Sequence, residues 1–253
     1  MRANRELRQL LSGAARRFKE VHLSVRQAID LTLYKRVLQH LDENPSAGST
    51  LSSPMFRESS INLSWNVWLV RPHRRKIEYF RPPGRLIEIA GGDEERYWQV
   101  FPERGLYHAT EVSEPLIRDE ETAPWPCFRT WLPPAVSELL DPEFIWEEPE
   151  GYRDAPAIAP VGSSLILGRP AIAASLEITD WATRGIGWSE TLFPAETYEL
   201  TVDRETGILL SVISIYRSQP VSSCIIDSLA FGDSPGPEFF KVDKWINGGL
   251  SAE

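Results

Sequence analysis

Residues Tyr198 to Phe231 read YELTVDRETGILLSVISIYRSQPVSSCIIDSLAF, and their alternation decides the fold. Tyr198, Leu200 and Val202 alternate with Glu199, Thr201 and Asp203. A period of two places the apolar set on one side of a pleat and the polar set on the other. Arg204-Glu205-Thr206-Gly207 follows as a short polar loop, and its glycine can take the positive φ of a tight hairpin. Ile208 to Tyr216 is rich in β-branched residues and fits a strand with both faces partly covered. Arg217-Ser218-Gln219-Pro220 turns the chain again, and Val221 to Phe231 returns. The reading is a three-stranded antiparallel meander.

A second set of strands lies upstream. Ile61, Leu63, Trp65, Val67 and Leu69 alternate with Asn62, Ser64, Asn66 and Trp68. Short polar turns at Arg71-Pro72-His73-Arg74, Arg81-Pro82-Pro83-Gly84 and Gly91 to Glu95 then separate strands at Lys76 to Phe80, Arg85 to Ala90 and Arg96 to Phe101. Near-regular spacing of this kind predicts an antiparallel up-and-down sheet. Val161 to Leu167 and Ala171 to Thr179 form a further hairpin around Gly168-Arg169-Pro170.

Elsewhere the period changes. Leu7, Leu10, Leu11, Ala14, Ala15 and Phe18 recur at helical spacing. Val21 to Leu33 alternates as a long strand, and Tyr34, Val37, Leu38 and Leu41 then mark a short helix. No period holds from Pro102 to Pro134, Pro134 to Leu140 suits a short helix, and Asp141 to Pro160 reads as an acidic, proline-rich excursion. Segregated helices with an antiparallel sheet define an α+β fold. The expected organisation is one domain over residues 1–253, with a core over 15–242 and an irregular insertion at 102–160.

Composition bounds the function. The 253 residues carry a net charge of -9, which argues against a general nucleic-acid binder. Two cysteines, Cys127 and Cys224, are too few for a disulfide framework. The opening MRANRELRQLLSGAARRFKE lacks a signal-type apolar run, and the chain has no stretch of about 18 apolar residues. A cytoplasmic protein without an integral membrane segment is therefore expected.

Chemistry-bearing motifs are sparse. Gly185-Ile186-Gly187 is too short for a phosphate loop, and His22, His40, His73 and His108 lack metal-ligand spacing, so no cofactor or metal is expected. The runs Asp119-Glu120-Glu121 and Glu147, Glu148, Glu150 read as solvated faces. Glu78 and Glu88 sit within strands, where a carboxylate turned into a cavity could act as a general acid or base. Cys127, beside Trp125 and Phe128, reads as a buried thiol. Trp65 and Trp68 fall on opposite faces of one strand, as do Trp98 and Tyr97 of another.

VWLVRP (Val67 to Pro72), the RKIE strand (Arg75 to Glu78), the GGDEERYWQV hairpin (Gly91 to Val100), LLDPEF (Leu139 to Phe144), LGRPAI (Leu167 to Ile172) and LTVDRETGILL (Leu200 to Leu210) occur in an order and spacing that resemble the LolA-like lipoprotein-carrier superfamily, its actinobacterial members most. The resemblance spans about residues 15 to 242. It implies a strongly curved antiparallel sheet, an unclosed barrel with helices plugging its concave side. It also implies non-covalent binding of an acyl chain, a lipid or a lipidated peptide, or regulation through a protein partner. The alternating apolar positions nominate Ile61, Leu63, Trp65, Val67, Leu69 and Leu210 as ligand contacts, with the helix of Leu7 to Phe18 as plug or lid. Two other roles follow from the residues: a protein-interaction module using the acidic 102–160 segment, and an enzyme using Glu78 or Glu88.

Overall fold

The computed structural model describes residues 2–41, 59–70, 74–92, 96–111, 132–142, 157–177, 191–232, 235–241 and 251–252. Helix α1 (Arg2–Leu11), strand β1 (Glu20–Asp30) and helix α2 (Leu31–Leu41) open the chain. Strands β2 (Ser60–Val70), β3 (Arg74–Arg81), β4 (Arg85–Gly92), β5 (Arg96–Phe101) and β6 (Leu106–Glu111) come next. Helix α3 (Pro134–Leu140) precedes β7 (Ala157–Ile166), β8 (Arg169–Glu177), β9 (Thr197–Asp203), β10 (Leu209–Tyr216), β11 (Gln219–Phe231) and the two-residue β12 (Ser251–Ala252). The strands hydrogen-bond in the order β12-β6-β5-β4-β3-β2-β1-β11-β10-β9-β8-β7. The sheet is antiparallel, apart from β12 running parallel to β6, and it does not close. The α+β class expected from the sequence is the one observed.

The chain divides into two compact units. One holds Met1–Arg17, Gln27–Asn62 and Pro133–Ile225; the other holds Phe18–Arg26, Leu63–Leu132 and Ile226–Glu253. In the first, α1 buries Leu7 and Leu11, α3 buries Val136, Leu139 and Leu140, and β9 and β10 bury Leu200 and Val212. Leu33, Val37, Tyr216 and Val221 form a second apolar group there, with Tyr34 edge-on to Phe193 at 5.4 Å. In the second unit, Ile89, Trp98 and Val100 cluster with Leu86. The Trp98 indole lies across Gly91, where an added Cβ would stand 2.3 Å from the ring, so the aromatic needs glycine opposite it.

The opening meander sits where its alternation placed it, with added detail at the turns. Asp203 is fully buried; its carboxylate accepts from the Glu205 backbone N–H at 2.9 Å and from Thr206 Oγ1 at 3.1 Å. It also pairs with Arg169 Nε at 2.6 Å. Gly207 has φ +80° and lies so close to α1 that a Cβ would fall 2.1 Å from the Leu10 carbonyl oxygen. The DRETG loop is thus a structural knot, and the conformation expected of its glycine is present.

Several boundaries differ from the sequence reading. The alternation of Val21 to Leu33 overruns the first strand, because Leu31 already begins α2. Asp30 caps that helix, its Oδ1 accepting from the Leu33 backbone N–H at 2.8 Å. The first helix stops at Leu11, where Arg17 bends back to donate to the carbonyls of Gln9, Leu10 and Thr206. Ala14–Arg16 is a separate 3-10 turn. Leu106–Glu111 is a strand inside the segment expected to be irregular, and β7 begins at Ala157, inside the expected excursion. The β7–β8 turn is Leu167-Gly168, one residue earlier than expected, and both residues have positive φ.

Candidate functional site

Two faces of β2 to β5 can be assigned from register. Trp65 pairs with Tyr79, Val67 with Ile77 and Leu69 with Arg75; these continue to Glu88, Ala90 and Gly92 on β4, and from Ala90 and Gly92 to Gln99 and Tyr97 on β5. This is the first face. Asn66 pairs with Glu78 and Trp68 with Lys76, continuing to Ile89 and Gly91, then Val100 and Trp98. This is the second face. Trp65 and Trp68 therefore stand on opposite sides, as do Trp98 and Tyr97.

The first face changes character from strand to strand. Trp65, Val67, Leu69 and Ile77 are buried, and Trp65 stacks on Tyr79 at 5.9 Å. Toward β4 and β5 the same face becomes polar and half-buried. Glu88 Oε1 accepts from Gln99 Nε2 at 2.7 Å, and the Arg75 guanidinium lies 5.2 Å from the Tyr97 ring centre. Burial, helped by the Glu88 charge and partly opposed by Arg75, pushes the Tyr97 phenol up to about 12. An apolar floor thus adjoins a rim carrying a cation, a carboxylate, an amide and a protonated phenol. Along β2 the floor grades outward, since Leu63 and Ile61 are only half-buried.

The second face holds a polar and aromatic lattice. Ser228 donates to Ser24 at 3.0 Å, Ser24 donates to Asn66 at 2.8 Å, and Asn66 donates toward Glu78 at 3.5 Å. Glu78 pairs with Lys76 at 2.8 Å. Lys76 is buried, its ammonium 4.2 Å from the Phe239 ring centre and 5.1 Å from that of Trp68. His22 stacks on Trp68 at 4.6 Å, and burial holds its imidazole below the ordinary value, with Glu78 pulling it partly back. The 3-10 turn Pro237–Phe240 closes over this face, and the Phe240 carbonyl accepts from Trp98 Nε1 at 2.9 Å. Phe239 meets Trp68 edge-on at 5.2 Å and Phe240 at 5.3 Å, which holds this turn on the face.

Of the residues nominated from sequence, Trp65, Val67 and Leu69 share the buried part of the first face, with Leu63 and Ile61 on its half-buried extension. Leu210 belongs to β10 in the other unit. It is fully buried beside Leu209, because a register shift between Leu209 and Ser211 turns two successive residues inward. Glu78 and Glu88 both hold hydrogen-bonding or ionic partners, Lys76 and Asn66 for the first and Gln99 for the second. The buried carboxylates that the sequence reading did not single out, Asp203 and Glu138, are likewise engaged. Glu138 Oε2 accepts from the Thr191 N–H at 2.8 Å and its hydroxyl at 2.5 Å. No triad of His, Cys, Asp or Glu side chains with metal-binding geometry occurs among the described residues. No described helix is long and apolar enough to cross a membrane. Cys224 is buried. Cys127, His73, the 119–121 and 147–150 acidic runs and Gly185 to Gly187 lie outside the described residues.

No family model matches the chain, and no curated protein is similar to it. Similar solved structures include an uncharacterised conserved protein from Thermus thermophilus, at 6% identity and TM-score 0.41 over 98% of this chain and 94% of that one. The MucA/MucB complex of Pseudomonas aeruginosa gives 13% identity and TM-score 0.44 over 95% of this chain and 61% of that one. The Mycobacterium tuberculosis lipoprotein LppX gives 10% identity and TM-score 0.40 over 92% and 96%. At these identities no residue role passes from those proteins to this one.

Proposed function

We propose that this protein binds an amphiphile, an acyl chain, lipid or lipidated peptide, without covalent chemistry, on the first face of β2 to β5. The observation that supports the reading is the juxtaposition on that face. Trp65, Val67, Leu69 and Ile77 form an apolar floor, and Arg75, Glu88, Tyr97 and Gln99 form a polar rim beside it. An amphiphile presents the same pairing of a tail and a head. Burying about 100 Å² of tail contributes about 2.5 kcal/mol, so an acyl chain suffices for micromolar binding after association costs. Leu63, half-buried next along β2, is a further proposed contact.

Native mass spectrometry of the purified protein tests this. A co-purified species of lipid mass, released on denaturation, is the expected result. Protein that is uniformly ligand-free and takes up no added fatty acid would contradict it. Regulation through the acidic 102–160 segment has no supporting observation, since its charge runs lie outside the described residues.

A further inference from the structure

The large apolar residues exposed among the described residues all belong to one hairpin: Val161 at 67%, Leu165 at 70%, Ile166 at 38% and Leu167 at 42%. They lie on the outer half of β7 and in its turn into β8, and every residue from Val161 to Gly168 is exposed. β7 ends the sheet, so its outer edge has no neighbouring strand among the described residues. Leu167 occupies the left-handed region with φ 53°, where asparagine or glycine is favoured and leucine is strained. The fold thus holds an apolar side chain at the tip of a projecting turn against its local preference.

Charge indicates what meets this tip. Leu165 pairs across the hairpin with Pro170, whose carbonyl accepts from the Arg204 N–H at 3.0 Å, so the exposed Arg204 lies two strands away. Arg17, which follows the 3-10 turn Ala14–Arg16, donates to the Thr206 carbonyl in the same loop at 2.8 Å, and Arg16 beside it is exposed. Asp203 and Glu205, the acids of that loop, are already paired with Arg169. Residues 1–17 supply Arg2, Arg5, Arg8, Arg16 and Arg17 against Glu6, within a chain whose net charge is -9. Exposed apolar residues beside the exposed Arg16 and Arg204 match an anionic bilayer surface, which offers acyl chains beneath a layer of negative charge. Strand addition to the β7 edge fits less well. Pro160 and the irregularity between Pro160 and Gly162 interrupt the edge, as devices against strand pairing do.

We propose that the β7–β8 hairpin is a membrane-docking tip, inserting Leu165 and Leu167 among the headgroups of an anionic lipid surface while Arg16 and Arg204 contact the charge. The proposal is independent of the site on β2 to β5. Co-sedimentation of the full chain with vesicles of phosphatidylcholine, alone or mixed with phosphatidylglycerol, tests it. The wild type should partition onto the mixed vesicles, and raised salt should weaken the partition. The double variant Leu165→Ser/Leu167→Asn should bind them about tenfold or more weakly. Asparagine suits the left-handed position, so that variant should melt no lower than the wild type. Arg16→Gln/Arg204→Gln should weaken binding to mixed vesicles and abolish the preference over neutral ones. The proposal fails if the wild type does not prefer the anionic vesicles, or if the double variant partitions as the wild type does. It also fails if light scattering shows a wild-type dimer that the double variant converts to monomers without vesicles, since the hairpin would then meet a second copy.

Discussion

Gly207 shows how far one position can be committed. Its φ of +80° disfavours any side chain, and a Cβ would meet the Leu10 carbonyl. Gly207→Ala should destabilise the protein by about 3 kcal/mol, because strain and backbone overlap act together; thermal melting reads it, and a change within a few tenths of a kcal/mol would mean that α1 is not seated there. His22 is the residue at which pH enters. Its folded pKa lies below the ordinary 6.5, so the unfolded chain takes up the proton first. The associated stability is complete above 6.5 and is lost as pH falls through 6.5 toward the folded value. His22→Phe keeps an aromatic on Trp68 and removes the titration. Urea unfolding of this variant should lose less stability below pH 6.5 than the wild type, and parallel profiles would contradict the assignment.

At the scale of elements, alternation located the strands well where one face meets a core and the other does not. β2 and β9 are such cases. It failed where a side chain, and not the period, sets the boundary. Leu31 and Leu33 continue the odd-numbered apolar run, yet Asp30 accepts the Leu33 N–H and starts a helix within it. β6 was missed because LYHATE has no clear apolar side, and its existence depends on pairing with β5. The turns illustrate the same limit. Arg217 and Ser218 both have positive φ in a two-residue turn, though neither residue type favours it. Glu196 supports that turn by accepting the Arg217 N–H at 2.9 Å, a contact from outside the hairpin. Ser218→Gly should therefore stabilise the protein by about 1 kcal/mol in chemical denaturation. A loss of stability would show that the serine side chain carries a contact that outweighs the backbone strain.

At the scale of the whole chain, the two sets of strands and the α+β class were legible because each rests on local period and turn chemistry. The site was legible only in its apolar half. Trp65, Val67 and Leu69 announce one face by alternation, but Arg75, Glu88, Tyr97 and Gln99 join it only through a register set across four strands. For that reason Glu78 and Glu88 read from sequence only as strand carboxylates, and Ser24 and Asn66 give no sign of the hydrogen bonds they make between strands. The central claim, that this face takes an amphiphile, is tested most directly by titrating a fluorescent fatty acid against Leu63→Glu and Asn62→Glu. These neighbours on β2 are half-buried on the binding face and exposed on the other, so both variants should fold. Micromolar binding by the wild type and Asn62→Glu, with a loss of about tenfold or more in Leu63→Glu, is the predicted result. Equal affinity in all three proteins, or none in the wild type, would contradict it.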